Sequence, residues 1–289
     1  MESLACLNGE LMPVDQARVP IWDRGFLFGD AVYEVFRLYE GRCWLEDSHV
    51  GRLRRSLESL EFAPFDCDAL MERVYRTIRA SGIGEGTLYV HITRGVAPRS
   101  HAFPEPPVPP TELIIVRVYD DAPTARKRAS GVAVVTRPDL RWKRCDIKST
   151  NLLANVLALQ SAHRLGCEEA VLFGADGLVT EATHSSVIWV RGGRLEGTPE
   201  GTGILPGTTR GLILKLAEEI GIPFSGAELT VPELKAADEV FLVGTSTEIL
   251  PVVTIDDAPV SGGRPGPVAR RLQEAYRKAV AQWLTAKPA

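Results

Sequence analysis

Lys148 is the first residue whose setting suggests chemistry. It stands in "RWKRCDIKSTNLLANVLALQSAHRLG", residues 141–166. The spacing of Leu152, Leu153, Val156, Leu157 and Gln160 predicts a helix, with Ser149 or Thr150 as its N-cap and Gly166 as its stop. A cation just before a helix start is disfavoured by roughly 0.3–1 kcal/mol. The same potential lowers the pKa of an amine and enlarges its neutral fraction, the form that adds to a carbonyl as a nucleophile. A solvated surface lysine fits the local sequence as well, and the segment alone leaves both readings open.

Other segments carry complementary features. In "GILPGTTRGLILKLAEEIG", residues 203–221, Gly207, Thr208 and Thr209 precede an amphipathic helix. Exposed backbone N–H groups and hydroxyls at a helix start suit a phosphate. "VGTSTEILPV", residues 243–252, is a second glycine and hydroxyl turn after a strand. Either is equally an ordinary capping turn. Glu181 ends a short strand, and a buried carboxylate there needs a cationic or N–H partner. "TRGVAPRSHAFP", residues 93–104, gathers Arg94, Arg99 and His101 in one loop. An arginine there can fork onto a carboxylate; a solvated basic loop is the plainer reading. No metal site is expected, because the five histidines include no HExxH and no convincing pairing with cysteine. "GIGEG", residues 82–86, lies between a helix and a strand, the wrong order for a dinucleotide-binding turn.

The elements that must position these residues follow from periodicity. "ACLNGELMP" carries an Asn-Gly hairpin turn. In "AVYEVFRLYEGRCWL", Val32, Glu34, Phe36 and Leu38 alternate with Tyr33, Val35 and Arg37 as a strand does. Val50, Leu53, Leu57 and Leu60 mark a helix, and a second covers 67–81, ended by Gly82. Strands are expected in "TLYVHITRG", "ELIIVRVY", 132–136, 169–173, 178–181, 186–191, 239–243 and 252–255, and helices over 208–220 and 267–284. Strands do not alternate strictly with helices, so the fold class is α+β. The chain of 289 residues suits two domains. "YDDAPTARKRAS", residues 119–130, lacks periodicity and is taken as a linker between domains 1–118 and 131–289.

The charged fraction of 24% and apolar fraction of 45% are those of a globular chain. A net charge of −4 argues against nucleic acid as a partner. No apolar run suits a membrane span and the first residues do not form a signal peptide, so no membrane partner is expected. Five scattered cysteines point to a reducing compartment, and the cytoplasm is the expected location.

Together these segments resemble one family. "DRGFLFGDAVYEV" (23–35), "TRGVAPRSHAFP" (93–104), "RWKRCDIKSTNLLANVLA" (141–158), "VTEATHSSV" (179–187), "ILPGTTR" (204–210) and "TSTEILPV" (245–252) occur in the order found in fold type IV pyridoxal-phosphate enzymes. Within that group the chain is most similar to the D-amino-acid aminotransferases. Tyr33 and the "RSH" of the second block carry that narrower likeness, since branched-chain relatives lack the arginine–histidine pair. The resemblance implies that Lys148 is the lysine bound to pyridoxal 5'-phosphate as an imine. Glu181 then meets the pyridine nitrogen, and Leu205 packs on the ring. Arg52, Thr208, Thr209 and Thr245 hold the phosphate. Tyr33, Arg99 and His101 trap the substrate carboxylate, with Arg99 and His101 reaching in from the neighbouring subunit of a homodimer. The implied substrates are D-amino acids and 2-oxo acids. A branched-chain L-amino-acid aminotransferase, an aminodeoxychorismate lyase and an (R)-amine transaminase are the alternatives on this fold. His184 and Ser186 depart from the Ser and Asn of close relatives, at positions that bear on side-chain acceptance.

Overall fold

The computed structural model describes residues 3–286. It forms two compact units: one holds the chain up to Asp120 together with Ile147–Asn151, the other Asp121–Asp146 together with the chain from Leu152.

The first unit contains β1 (Leu4–Leu7), β2 (Glu10–Pro13), α1 (Arg24–Phe28), β3 (Ala31–Tyr39), β4 (Arg42–Cys43), α2 (Glu46–Ser59), α3 (Cys67–Ser81), β5 (Gly86–Thr93) and β6 (Thr111–Val118). Its six strands are ordered β2-β1-β6-β5-β3-β4, and every neighbouring pair is antiparallel. The expected β1–β2 hairpin turns at Asn8 and Gly9, both at positive φ. The alternation read in β3 is realised: Val32, Glu34, Phe36 and Leu38 are buried, and the apolar three join α2 and α3 in one core. Each such side chain contributes about 1.5–3 kcal/mol on burial. Glu34 is a carboxylate on that same inward face.

The second unit contains α4 (Ala122–Ser130), β7 (Val132–Pro138), α5 (Leu153–His163), β8 (Glu169–Phe173), β9 (Val179–Ala182), β10 (Ser186–Arg191), β11 (Arg194–Gly197), α6 (Thr208–Glu219), β12 (Phe224–Gly226), α7 (Val231–Lys235), β13 (Glu239–Gly244), β14 (Glu248–Ile255), β15 (Ala258–Pro259) and α8 (Pro267–Thr285). Its nine-stranded sheet runs β12-β11-β10-β13-β14-β7-β8-β9, with β15 on β14. The β7–β8, β7–β14 and β11–β12 pairs are parallel and the others antiparallel. A mixed sheet beside an antiparallel one is the α+β class read from the sequence. Glu239 is buried at the start of α8 and accepts the Val268 and Ala269 amides at 2.8 and 2.9 Å, capping that helix from the sheet.

Three local expectations change. Residues 119–130 are not a structureless linker, because most of them form α4. That helix buries none of its residues, so it has no apolar stripe to read. Ion pairs fasten it instead: Arg128 to Glu248 at 3.5 Å and Lys127 to Glu168 at 2.7 Å, while Arg128 also pairs with Asp121 at the helix's own N-cap. The helix after Lys148 starts at Leu153, so Leu152 and neither Ser149 nor Thr150 is its N-cap, and Leu152 makes no side-chain cap bond. Residues 147–151 are drawn into the first unit as an extended strip: Tyr33 N–H donates to the Lys148 carbonyl at 3.0 Å, and Ser149 bridges Val32. The apolar stripe of α5 also faces outward. Leu153, Val156 and Leu157 are exposed, while Ala158 and Ala162 pack on Val135, Ala170 and Leu172.

Candidate active site

The first unit builds a cluster around Lys148. Its backbone N–H donates to Ser56 Oγ of α2 at 3.1 Å and its carbonyl accepts from Tyr33 of β3, so the main chain is pinned on both sides. Its Nζ lies 4.4 Å from the centroid of the Tyr33 ring. The helix-start explanation for its reactivity falls away, since dipole effects fade within the first turn and α5 begins five residues later. The nearby charges come from α2 instead. Arg52 is buried and forks onto Glu34, with Nε and Nη2 donating at 2.7 and 2.8 Å. His49 Nδ1 meets Glu34 Oε2 at 2.7 Å.

Burial alone would raise the Glu34 carboxyl, but Arg52 and then His49 hold it well below the carboxylate range. Burial pushes the His49 pKa down; Glu34 opposes this, while Arg52 and Lys148 reinforce it. A neutral His49 must then donate Nδ1–H, because the ionised Glu34 only accepts. Arginine has five N–H donors, so two bonds to Glu34 do not exhaust Arg52. The sequence reading singled out Arg52 but not Glu34 or His49. A carboxylate at an inward position of an alternating strand was the signal for both.

The second unit builds a cluster around Glu181, which is buried at the end of β9. One oxygen accepts from Arg141 Nη1, and the other accepts the Leu205 backbone N–H at 3.2 Å. Arg141 in turn forks onto Asp139, with Nε to Oδ1 at 2.9 Å and Nη2 to Oδ2 at 2.6 Å, and donates to the Gly203 carbonyl at 3.1 Å. Burial would raise the Asp139 carboxyl, but its bonds to Arg141 and Thr180 lower it overall. For Arg141, burial works against the charge, but Asp139 and Glu181 raise its pKa. Glu181 is therefore held in one orientation by a guanidinium that is itself locked. Sequence reasoning missed Arg141 and Asp139; the basic run before Lys148 hid them.

Leu205, Thr208 and Thr209 follow Glu181's contact into the start of α6. Thr209 is buried, and Gly207 is the N-cap, with no side-chain cap bond. A Cβ on Gly207 would come within 2.8 Å of Ser186 Oγ and 3.2 Å of Arg210 Cβ, so the chain here tolerates only glycine without adjustment. Thr245 lies in the three-residue turn between β13 and β14. In the same turn, Thr247 Oγ1 is buried with no hydrogen-bond partner. Of the two departures, Ser186 lies against Gly207, whereas the His184 side chain is half exposed. The His184 amide and the Thr183 and Ser185 hydroxyls all donate to the buried Glu169.

Tyr33 belongs to the Lys148 cluster. Arg99 and His101 do not: both are exposed and stand against Phe28, with the Arg99 guanidinium 5.4 Å and the His101 ring 5.4 Å from its centroid. Their loop is firmly seated. Arg24 donates to the Ser100 and Ala102 carbonyls at 2.7 and 3.1 Å and pairs with Asp30 at 2.8 Å. Asp30 also binds Arg94, which lies under Phe103. Among the described residues, no group of three or more His, Cys, Asp or Glu could hold a metal. No helix there is long and apolar enough to cross a membrane.

Comparison with known proteins gives a consistent result. Residues 31–255 match the amino-transferase class IV family. D-alanine aminotransferase of Staphylococcus epidermidis is 38% identical over 94% of this chain and 96% of its own. D-alanine aminotransferase of Bacillus licheniformis is 36% identical, covering 94% and 95%. Among solved structures, the branched-chain amino acid aminotransferase of Escherichia coli superposes with a TM-score of 0.89 at 26% identity, covering 96% of this chain and 94% of its own. The T.th. branched-chain amino acid aminotransferase with pyridoxamine 5'-phosphate gives 0.89 at 26%, covering 98% and 95%. The chain belongs to the class IV aminotransferases and is a pyridoxal-phosphate-dependent enzyme of the fold type IV architecture.

Proposed function

We propose that this aminotransferase moves the amino group of D-alanine and related D-amino acids to 2-oxoglutarate or pyruvate, in two half-reactions. The observation that carries the reading is the Arg99–Ser100–His101 loop, seated by Arg24 and presented outward. The D-alanine aminotransferases at 38% and 36% identity support it. The backbone likeness to branched-chain enzymes favours a second reading, L-amino-acid transamination, at lower identity.

The residues fit the cofactor. The start of α6 offers backbone N–H donors to an anion. Thr247 is a buried hydroxyl in need of a partner, and Gly207 lets the start of α6 pack closely on Ser186. Thr208, Thr209, Thr245 and Arg52 are assigned to the phosphate, and Leu205 to the ring. Once bound, pyridoxal phosphate supplies the aldehyde for the covalent link and an electron sink for the charge that develops at the substrate Cα. Lys148 Nζ would hold that aldehyde and would serve as the base for the Cα proton. Glu181, oriented by Arg141 and the Leu205 amide, presents negative charge to the ring nitrogen. Tyr33 binds the substrate carboxylate together with Arg99 and His101 of a second copy. Holding that carboxylate on one side turns the α-hydrogen of the D isomer toward the amine. The working form is a homodimer.

The test is the visible absorbance of the purified holoenzyme on mixing with D-alanine, L-alanine or L-leucine. Bleaching by D-alanine alone, and amino transfer from it to 2-oxoglutarate, is the expected result. Bleaching by L-leucine and not by D-alanine would establish the second reading instead.

A further inference from the structure

Arg210 is the one buried arginine among the described residues without a close carboxylate. Five arginines are buried, and four of them hold a carboxylate oxygen at hydrogen-bond distance: Arg24 and Arg94 on Asp30 at 2.8 Å, Arg37 on Glu85 at 2.6 Å, and Arg52 on Glu34 at 2.7 Å. The ion pair of Arg210 is with Glu200 at 3.5 Å, and that side chain is 70% exposed, so water screens it. Arg210 Nη2 donates to the Thr198 carbonyl at 2.7 Å, a neutral partner. Its position adds to the cost. Arg210 is the third residue of α6, where the positive end of the helix dipole disfavours a cation. Side chains lean toward the start of their helix, and Arg210 Cβ is 3.2 Å from where a Cβ on the N-cap Gly207 would stand. Burial lowers the Arg210 pKa, with Glu200 and then Glu181 opposing. A buried cation without a matching anion is unfavourable. Thr247 is a second unmet group: its hydroxyl is buried with no partner, in the turn that begins just past the Val243–Ser186 pair. Ser186 in turn stands against Gly207, so both unmet groups flank the strand end where α6 starts.

We propose that Arg210 is a buried counter-charge for the cofactor phosphate, acting through space from the first turn of α6 and not by a direct bond. This rests on the reading that places the phosphate at the start of that helix. It deepens that reading by adding a full charge to the amides and hydroxyls assigned there. Those groups offer dipoles, which receive a neutral or a charged oxygen. A unit charge acts in proportion to the charge it meets, and reaches further in buried surroundings than in water. It therefore favours a phosphate over a neutral group of similar shape. The same pairing relieves the protein: the anion supplies the compensation that the exposed Glu200 does not. Arg210 touches neither substrate nor reacting atoms in this account. Its effect is on cofactor retention, and it is separate from the roles of Lys148 and Glu181.

The experiment strips the cofactor from the purified enzyme and titrates it back with pyridoxal phosphate or with pyridoxal, which has the same ring and aldehyde and no phosphate. Binding is read from absorbance for the wild type, Arg210→Met, Arg210→Gln and Arg210→Lys. The preference for pyridoxal phosphate, taken as the ratio of the two Kd values, should fall about tenfold or more in Arg210→Met and Arg210→Gln. It should stay within about threefold of wild type in Arg210→Lys, which keeps the charge. Inorganic phosphate should raise the melting temperature of the stripped wild type more than that of Arg210→Met. A merely structural anchor for α6 would weaken both ligands alike and leave the ratio where it was. An unchanged ratio in Arg210→Met and Arg210→Gln, or equal stabilisation by phosphate, overturns the inference. Stripped wild-type enzyme that binds both compounds equally would instead refute the underlying assignment of the phosphate.

Discussion

At the scale of single residues, the proposed chemistry turns on how the charges near it are held. Lys148 is fixed through its backbone to Ser56 and Tyr33, and its side chain lies over an aromatic ring. Glu181 is held through Arg141, which the Asp139 fork prevents from moving. Arg141 is thus a positioning residue. Arg141→Met should retain the cofactor but lower kcat about 100-fold, the cost of roughly an ångström of misplacement. KM for the amino acid should change far less, because Arg141 is assigned no substrate contact. Steady-state kinetics with cofactor content measured on the same sample checks this. An unchanged kcat would separate Arg141 from the function of Glu181. Lys148 and Glu181 stand in the sequence within the blocks that carry the family resemblance. Their supports, Ser56, Asp139 and Arg141, were not legible as such, because contacts between residues far apart in the chain leave no local pattern.

At the scale of elements, the outward face of α5 matters most. Leu153 is 73%, Val156 56% and Leu157 64% exposed, within about one turn of one helix. If the proposed homodimer forms, these exposed apolar side chains are candidates for the surface between copies. Leu157→Glu should therefore shift the protein toward monomer in sedimentation velocity. Under the proposed sharing of Arg99 and His101 between copies, it should also lose transamination. A variant that stays dimeric would place the interface elsewhere. The periodicity of this helix was readable, but which way it faced was not. A 3.6-residue stripe records that a face seeks burial, without recording whether the partner is this chain's own core. The reverse held for α4, where ion pairs from Arg128 and Lys127 hold a helix that no apolar pattern announces. The late start of α5 has a third cause. Ser149 and Thr150 are good caps, but strand-like bonding of residues 147–151 to β3 outweighs a local preference of about 1 kcal/mol.

At the scale of the whole molecule, the residues assigned to one reaction are dispersed over both units and most of the chain. Tyr33, Arg52 and Lys148 belong to the first unit, and Glu181, Leu205, Thr208, Thr209 and Thr245 to the second. The α+β architecture and the family follow from the order of blocks spread through that length. The substrate does not, because the proposal for it rests on individual side chains such as Arg99 and His101. The central claim is narrower: one amine, that of Lys148, carries the coenzyme. Reduction of the holoenzyme with borohydride, followed by proteolysis and mass spectrometry of the peptides, tests it most directly. A single phosphopyridoxyl adduct is predicted on the peptide containing Lys148, and none in Lys148→Ala. An adduct on another lysine, or equal labelling of the variant, would contradict it.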